Sequence, residues 1–399
     1  MRVSSLQMFQ QGISSIMAQQ AKLSNTENQL ATGKRVLTPA DDPVAAAQIL
    51  DISEDLALLD QYQRNANLAQ GQLALEESTL TEVENTFQRV RELVVQANNA
   101  TQSPETRRSI ATEISARISE LEALANTRDA SGEYIFGGFQ AQNQPFTRSG
   151  SDVLYQGDDG QRFMQIGSSA RVAVRDSGYD VFVAVPTGNG RFAVDTAAGN
   201  TGTLVAGTTS AASGFVSGEY SINFTNPVGG PASYEVRDAS SALISSGTYE
   251  EGDTVSFAGA SIDFSGIPGE GDSFSVTSSV RQDMFSSLQG IVSALENAGS
   301  AANEVAEVNN AMARGLENID QALGNVSRVR TDVGVRLNNV DTQIQINDNF
   351  NLGLKETLSG IQDLDYAEAI SRFNLELTAL QAAQQAYVKM QGLSLFNYL

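Results

Sequence analysis

The sequence has 399 residues, a length that allows two or three domains, and its 25 Lys and Arg against 47 Asp and Glu give a net charge of −22. Such a chain repels both a phosphate backbone and an anionic lipid surface, so we expect neither nucleic acid nor a membrane among its partners. The chain contains no His and no Cys, so it cannot form a Ser-His-Asp or thiol catalytic site or a metal site that needs imidazole or thiolate. We therefore expect no enzymatic activity, no cofactor and no metal.

The first predicted element is a long helix that carries the apolar seam of a coiled coil. Its seam positions from Phe9 to Leu30 recur at alternating steps of four and three residues. Gln20 and Glu27 interrupt this seam. Polar residues at such positions lower stability and fix register or partner choice, so the helix is expected to have a specific partner.

A loop then leads into a second and a third helix. Gly33 is placed as the C-cap of the first helix, and Asp42 as the N-cap of the second, with Pro43 at its first helical position. The second helix is predicted to reach roughly Ala97, and Ser103 begins the third.

The chain between about residues 140 and 280 is rich in Gly, Ser and Thr and contains short strand-like runs. Just before it, Tyr134 to Phe136 also looks like a strand. The runs within it are residues 153–155, 162–166, 171–175, 219–224, 233–237, 254–257 and 272–276. We expect two β regions divided near Pro186, the first packed on the helices and the second a separate small domain of antiparallel strands.

The most regular stretch of the sequence is a predicted long helix from about Ala302 to Leu358, whose apolar residues share one heptad frame. The residues predicted to form its shaft seam are Leu323, Val326, Val333, Leu337, Val340 and Ile344. A last helix follows, with a new heptad frame. Heptad stripes at both chain ends indicate that the ends pair with each other, with other copies, or with both. The residues predicted to form this assembly interface are Phe9, Ile13, Ile16, Leu23, Leu30, Ile370, Phe373, Leu377, Leu380 and Tyr387.

These elements predict a mainly α fold with a β insertion. Helices from both chain termini form a long antiparallel coiled-coil shaft, and a β-rich middle region carries a small outer β domain. The predicted boundaries are 1–42 for the N-terminal half of a terminal coiled-coil domain, 43–185 for a helical shaft with a β-hairpin region, 186–280 for the outer domain, 281–361 for the returning shaft helices and 362–399 for the C-terminal half of the terminal domain.

The segment TGKRVLTPADDPVAAAQIL at residues 32–50 resembles the N-terminal motif of the flagellin superfamily. The residues that carry this motif are Gly33, Arg35, Asp41, Asp42 and Pro43. The Asp-Asp-Pro sequence, the run ANTRDASGEYIFGGF at 125–139 and the C-terminal LTALQAAQQAYVKMQGLSLFNYL are more similar to the hook-associated proteins of the hook–filament junction than to filament flagellins. The two aspartates are interpreted as loop and cap residues and not as a catalytic or metal-binding pair.

This resemblance implies a structural, motility-related protein of the bacterial flagellum, an adaptor that joins the hook, through another hook-associated protein, to the flagellin filament. It further implies a homo-oligomeric ring, a flagellar export chaperone, and secretion by the type III flagellar pathway to an extracellular position. The N-terminus lacks the pattern of a cleaved signal peptide, in keeping with such a route. Two alternatives remain, filament flagellin itself and a secreted adhesive protein that binds a ligand through residues 186–280.

Overall fold

The computed structural model describes residues 5–99 and 101–392. They divide into a terminal unit, residues 5–65 with 343–392, and a central unit, residues 66–342. The helices in this part of the chain are α1 (Ser5–Thr32), α2 (Pro43–Ala97), α3 (Pro104–Ala125), α4 (Met284–Glu296), α5 (Ala302–Gln362) and α6 (Tyr366–Gly392). Helices α2 and α5 contribute residues to both units.

The predicted helix boundaries are confirmed, because the local capping chemistry acts as expected. Gly33 follows α1 with φ +70°, the left-handed conformation that glycine adopts without strain. At the start of α2, Asp42 Oδ1 accepts the backbone N–H of Ala45 at 3.0 Å. Ser103 caps α3 in the same way, accepting the N–H of Thr106.

In the terminal unit α1 packs against α6, and the start of α2 lies beside the end of α5. Asn351 Nδ2 donates to Asp60 Oδ1 at 3.1 Å across the second pair. Thr26 Oγ1 donates to Glu376 Oε2 at 2.8 Å across the first pair. Each pair therefore joins a segment from the N-terminal part of the chain to one from the C-terminal part.

In the central unit, α2 and α5 run antiparallel and are joined by charged side chains. Arg91 Nε donates to Asp320 at 3.0 Å, and farther along α5 Arg330 pairs with both Glu77 and Glu84. The residue numbers of the partners on α2 decrease as those on α5 increase, so the two helices run antiparallel. The ion pairs are partly exposed, so apolar packing between the helices has to supply most of the stability.

The strands are β1 (Phe146–Ser149), β2 (Asp152–Tyr155), β3 (Phe163–Gln165), β4 (Arg171–Ala173), β5 (Val185–Pro186), β6 (Phe192–Thr196), β7 (Val205–Ala211), β8 (Tyr220–Thr225), β9 (Ser233–Asp238), β10 (Leu243–Thr248), β11 (Thr254–Phe257), β12 (Ala260–Ser265), β13 (Ser273–Ser278) and β14 (Arg281–Gln282). All observed pairings between them are antiparallel. Every strand-like run between residues 140 and 280 contains an observed strand, as predicted.

The first β region, β1 to β4, packs on the helices, also as predicted. Phe146 of β1 lies 5.3 Å from Phe182 and 5.5 Å from Phe285 of α4, measured between ring centroids. These rings are almost fully buried and form an apolar cluster next to α4. The prediction of a strand at Tyr134 to Phe136 is wrong: Tyr134 makes one isolated bridge to Arg128, and the residues after it form turns. Their burial comes from this cluster and not from a sheet.

The second β region is an outer domain with its own core. One sheet has the order β10-β9-β8-β13-β6 and a second has the order β11-β12-β7. Phe224, Phe264 and Phe274 meet between the sheets with ring centroids 4.9 to 6.0 Å apart. The residues between β5 and β14 therefore bury a hydrophobic cluster made entirely of their own side chains.

Candidate assembly interface

Only about half of the seam positions predicted for α1 are seam positions in the structure. Phe9, Ile16, Leu23 and Leu30 are half-buried as expected, whereas Ile13 is 41% exposed. The prediction that Gln20 and Glu27 interrupt the seam is wrong, because both residues are exposed. The inward positions between the apolar ones are Gly12, Gln19 and Thr26. Starting from Phe9, the observed seam therefore advances by three and then four residues, where the apolar residues alone favoured four and then three.

Helix α6 differs from the prediction in the same way. Phe373, Leu380 and Tyr387 are half-buried, and so is Leu377 at the edge of the seam. Ile370 is 50% exposed, while the preceding Ala369 is completely buried. Glu376 and Ala383 occupy the other inward positions. Small and polar residues therefore supply half of the observed seam in both helices.

The family-motif loop is built from carboxylates that accept backbone N–H groups. Asp41 Oδ2 accepts the N–H of Thr38 at 2.8 Å and of Leu37 at 3.1 Å. The Thr38 hydrogen bond is the main cause that lowers the pKa of Asp41, and the Ala45 hydrogen bond lowers the pKa of Asp42. Both carboxylates are held ionised in structural roles. This agrees with their interpretation as loop and cap residues.

The same loop is bound to the break between α5 and α6, and we call the two segments, residues 33–43 and 361–366, the clasp. The Arg35 N–H donates to the carbonyl of Gln362 at 2.7 Å, and the Leu364 N–H donates to the carbonyl of Gly33 at 2.9 Å. The Arg35 guanidinium also donates to the carbonyl of Ile361 at 2.9 Å and pairs with Asp42. The motif therefore fixes the α1–α2 loop to the break between α5 and α6.

The terminal unit buries little apolar surface by itself. Among its described residues only four apolar side chains are buried, Val36, Ala45, Leu364 and Ala369. Its exposed large apolar residues are Ile13, Met17, Val44, Leu50, Leu58, Ile346, Phe350, Leu352, Tyr366, Ile370, Leu375 and Val388. Single exposed apolar residues are ordinary, but so many around so small a core indicate a surface that another protein covers.

The residues of the predicted shaft seam face inward along α5. Val326, Val333 and Val340 are buried, and Leu323, Leu337 and Ile344 are half-buried. Asn347 and Asn351 occupy polar positions of the same heptad frame. Asn347 is buried, with 3% of its surface exposed, and Asn351 is half-buried. In the described part of the chain, no helix is long and apolar enough to cross a bilayer.

Comparison with known proteins identifies the two ends of the chain with one family. Residues 3–141 match the bacterial flagellin N-terminal helical region and residues 316–399 match the bacterial flagellin C-terminal helical region. Flagellar hook-associated protein 3 of Escherichia coli (strain K12) is 28% identical over 403 residues, which cover 100% of this chain and 99% of that protein.

A solved structure is similar over most of the chain as well. The flagellar junction protein FlgL from Legionella pneumophila has 32% identity and a TM-score of 0.73, covering 79% of this chain and 100% of that one. Phase 1 flagellin of Salmonella naestved, at 34% identity, matches only 28% of this chain and 22% of its own length. The similarity to filament flagellin is thus local, whereas the similarity to the hook-associated protein extends over the full length.

Proposed function

The chain belongs to the family of flagellar hook-associated protein 3, structural proteins of the junction between the flagellar hook and filament, and we propose that its terminal unit makes the contacts that hold it there. Filament flagellin is not favoured as the alternative, because that match covers 28% of the chain. The observation that carries the proposal is the terminal unit's excess of exposed over buried apolar side chains.

The partners in this proposal follow from the exposed residues and the family. Copies of the chain form a ring, with another hook-associated protein on the hook side and flagellin on the filament side. A flagellar chaperone covers the C-terminal helix before type III export to the cell exterior, since the exposed Ile370, Leu375 and Val388 would otherwise promote association in the cytoplasm. In this role the chain carries no catalytic activity, cofactor or metal.

We expect Ile370→Asp to abolish junction formation while the protein still folds. Ile370 is 50% exposed in the single chain, so the charge meets water in the monomer but would be buried against a neighbour in the junction. The experiment introduces the variant into cells that lack the wild-type chain. Motility, and the amount of flagellin shed into the medium instead of assembled, are then measured.

The matched control is Val228→Asp in the outer domain, where the side chain is fully exposed. It introduces the same charge at an apolar surface position outside the terminal unit. Cells with this control are expected to swim and to keep their filaments. Normal motility with Ile370→Asp, at normal levels of exported protein, would contradict the proposed role of the terminal unit.

A further inference from the structure

We propose that the seam between α1 and α6 fixes the register of the two helices. In this seam residues of unequal size face each other, and a glycine–tyrosine pair lies at each end. We call this arrangement the register key. The pairs are Gly12 with Tyr387 and Gly33 with Tyr366. The key determines which α6 turn each α1 turn contacts. It stands on contacts inside the terminal unit and does not require the proposed assembly role, although its consequence for assembly rests on that role.

The first pair lies at the end of the helix pair remote from the clasp. A Cβ atom on Gly12 would lie 3.1 Å from Cδ2 of the Tyr387 ring, closer than ordinary packing allows. Phe9 meets the same ring edge-on with its centroid 6.0 Å away. The tyrosine ring thus occupies the space that the absent glycine side chain leaves, with Phe9 beside it.

The second pair lies in the clasp. A Cβ atom on Gly33 would approach the Tyr366 hydroxyl to 2.8 Å. Gly33 also has a φ of +70°, so two independent constraints select glycine there. The hydroxyl end of Tyr366, a residue that is 53% exposed, lies against this backbone, whereas at the other end the edge of the Tyr387 ring contacts Gly12.

The two pairs belong to one register. Gly12 and Gly33 are 21 residues apart, and so are Tyr366 and Tyr387, which is three heptads on each helix. In an antiparallel pair with this register, the inward Ile16 faces the inward Ala383, and Leu30 faces Ala369. Large residues on one helix then meet small ones on the other, the arrangement that packs a narrow seam without voids.

A shift of one heptad removes this complementarity. In one direction Tyr387 would meet Gln19, and in the other direction Tyr366 would meet Thr26. Each of these residues has a Cβ where the observed register has none at the contact. The clasp hydrogen bonds resist such a slip only at the near end, roughly 30 Å from Gly12 at ~1.5 Å per residue. The remote glycine therefore controls the far end of the pair.

Disulfide trapping tests the key directly, because the chain has no cysteine of its own. Ile16→Cys with Ala383→Cys reports the observed register, and Ile16→Cys with Glu376→Cys reports a slip of one heptad. The purified full-length chain is oxidised at low concentration and the intramolecular product is quantified on a gel. With the native seam, the first pair is expected to cross-link at least about tenfold faster than the second, as a specific seam requires.

Gly12→Leu is then expected to reduce the cross-linking rate of the Ile16–Ala383 reporter by about tenfold, because the added side chain overlaps Tyr387. The matched control Ser14→Leu adds a leucine side chain at an exposed position two residues away and should leave the rate unchanged. Combining Gly12→Leu with Tyr387→Ala restores space and should recover most of the rate.

Three results would overturn the register key: equal rates for the two reporters in the native seam, an unchanged rate with Gly12→Leu, or an equal loss with Ser14→Leu. A product that is mainly an intermolecular dimer would also overturn it, since the key pairs the ends of one chain. If Gly12→Leu changes the register but cells with it still assemble filaments, the key stands and its consequence for assembly by the terminal unit fails.

Discussion

Glu76 of α2 is a completely buried carboxyl group with incomplete hydrogen bonding. Its Oε1 accepts the backbone N–H of Asp176 at 2.9 Å, and its Oε2 has no partner. The Asp176 carboxylate is already paired with Arg336 and accepts the Gln161 amide at 2.7 Å. Burial, and then the nearby Asp176 charge, raise the pKa of Glu76 from its usual 4.5 to about 8. The group is therefore protonated in the folded protein at neutral pH.

Glu76 should make the central unit less stable as pH rises. Between pH 4.5 and about 8 the folded chain keeps a proton that the unfolded chain releases. Its contribution to stability is therefore present below pH 4.5 and falls by up to ~1.4 kcal/mol per pH unit until about 8. We expect Glu76→Gln to remove this slope and to raise the melting temperature of the central unit at pH 8.5.

Calorimetry at pH 5, 7 and 8.5 measures the effect, and Glu82→Gln, at an exposed position of the same helix, is the control. The same loss of stability with pH in Glu76→Gln and the parent chain would show that the buried group is not responsible. The sequence gives no sign of this role, since Glu76 is one of several glutamates along α2 and its burial depends on long-range contacts such as the hydrogen bond from Asp176.

The seam residues show why half of the interface could be predicted. Phe9, Ile16, Leu23 and Leu30 lie seven residues apart, so their placement does not depend on which intermediate step is chosen. The intermediate positions were assigned by hydrophobicity, which selected Ile13 over Gly12. Packing against a tyrosine ring requires the smaller residue. A rule based on apolar character cannot recognise a seam in which volume is the deciding property.

At the scale of elements, hydrogen bonds and an ion pair between Arg314 and Asp195 attach the outer domain to α5. Asn310 Oδ1 accepts the N–H of Ala206 and its Nδ2 donates to the carbonyl of Leu204, both at 2.8 Å. Asn318 Oδ1 accepts the N–H of Gly188 at 2.8 Å. Cavities of about 380 and 470 Å³ flank this contact.

Because polar groups make these contacts, we expect that the outer domain can be removed. The Thr187 N–H donates to the carbonyl of Val280 at 2.9 Å, so the chain leaves and returns at one place. Replacing residues 188–279 with a short Gly-Ser linker is expected to preserve the helical circular dichroism of the rest of the chain. Loss of helix in the linker variant would show that the outer domain supports the shaft.

By contrast, Phe182→Ala removes a ring from the cluster next to α4 and should destabilise the central unit by ~3–5 kcal/mol.

The sequence revealed only part of this domain. Its strands β7, β10 and β12 have the sequences VAGTTSA, LISSGT and ASIDFS, which contain many Gly, Ala and Ser residues of low strand propensity. In β12 alternate side chains such as Ile262 and Phe264 enter the core, whereas β10 has no buried side chain and is held by its pairing with β9. Long-range packing thus overrides local preference, and that packing cannot be inferred from a window of six residues.

At the scale of the whole molecule, we expect the terminal helices to be the least stable part of the free chain. Ordering a residue costs ~1–2 kcal/mol of backbone entropy, and each fully buried apolar side chain returns ~1.5–3 kcal/mol. Four buried apolar residues offset only part of that cost for the described part of the terminal unit, so we expect the paired helices to form in the free chain but to open often. The helices would then become fully stable only when neighbours cover their exposed apolar residues.

Amide hydrogen exchange on the purified monomer tests this prediction. Residues 9–30 and 370–390 should exchange within seconds to minutes, and the central helices over hours or longer, as expected for regions of low and high local stability. Strong protection of both terminal segments in the monomer would mean that the pair is stable unaided, and coupling of folding to assembly would be excluded.

In the short ladder between β5 and β14, Val185 pairs with Gln282 and Pro186 pairs with Arg281. This ladder is a site where another folded segment could be inserted into the chain. A compact peptide tag that binds a fluorophore could take the place of the outer domain between these strands, because its two ends would meet the same ladder. One tag per subunit would then convert stepwise photobleaching of a single flagellum into a count of the copies in its junction. The insertion point of the domain thus offers a means to measure the size of the proposed ring.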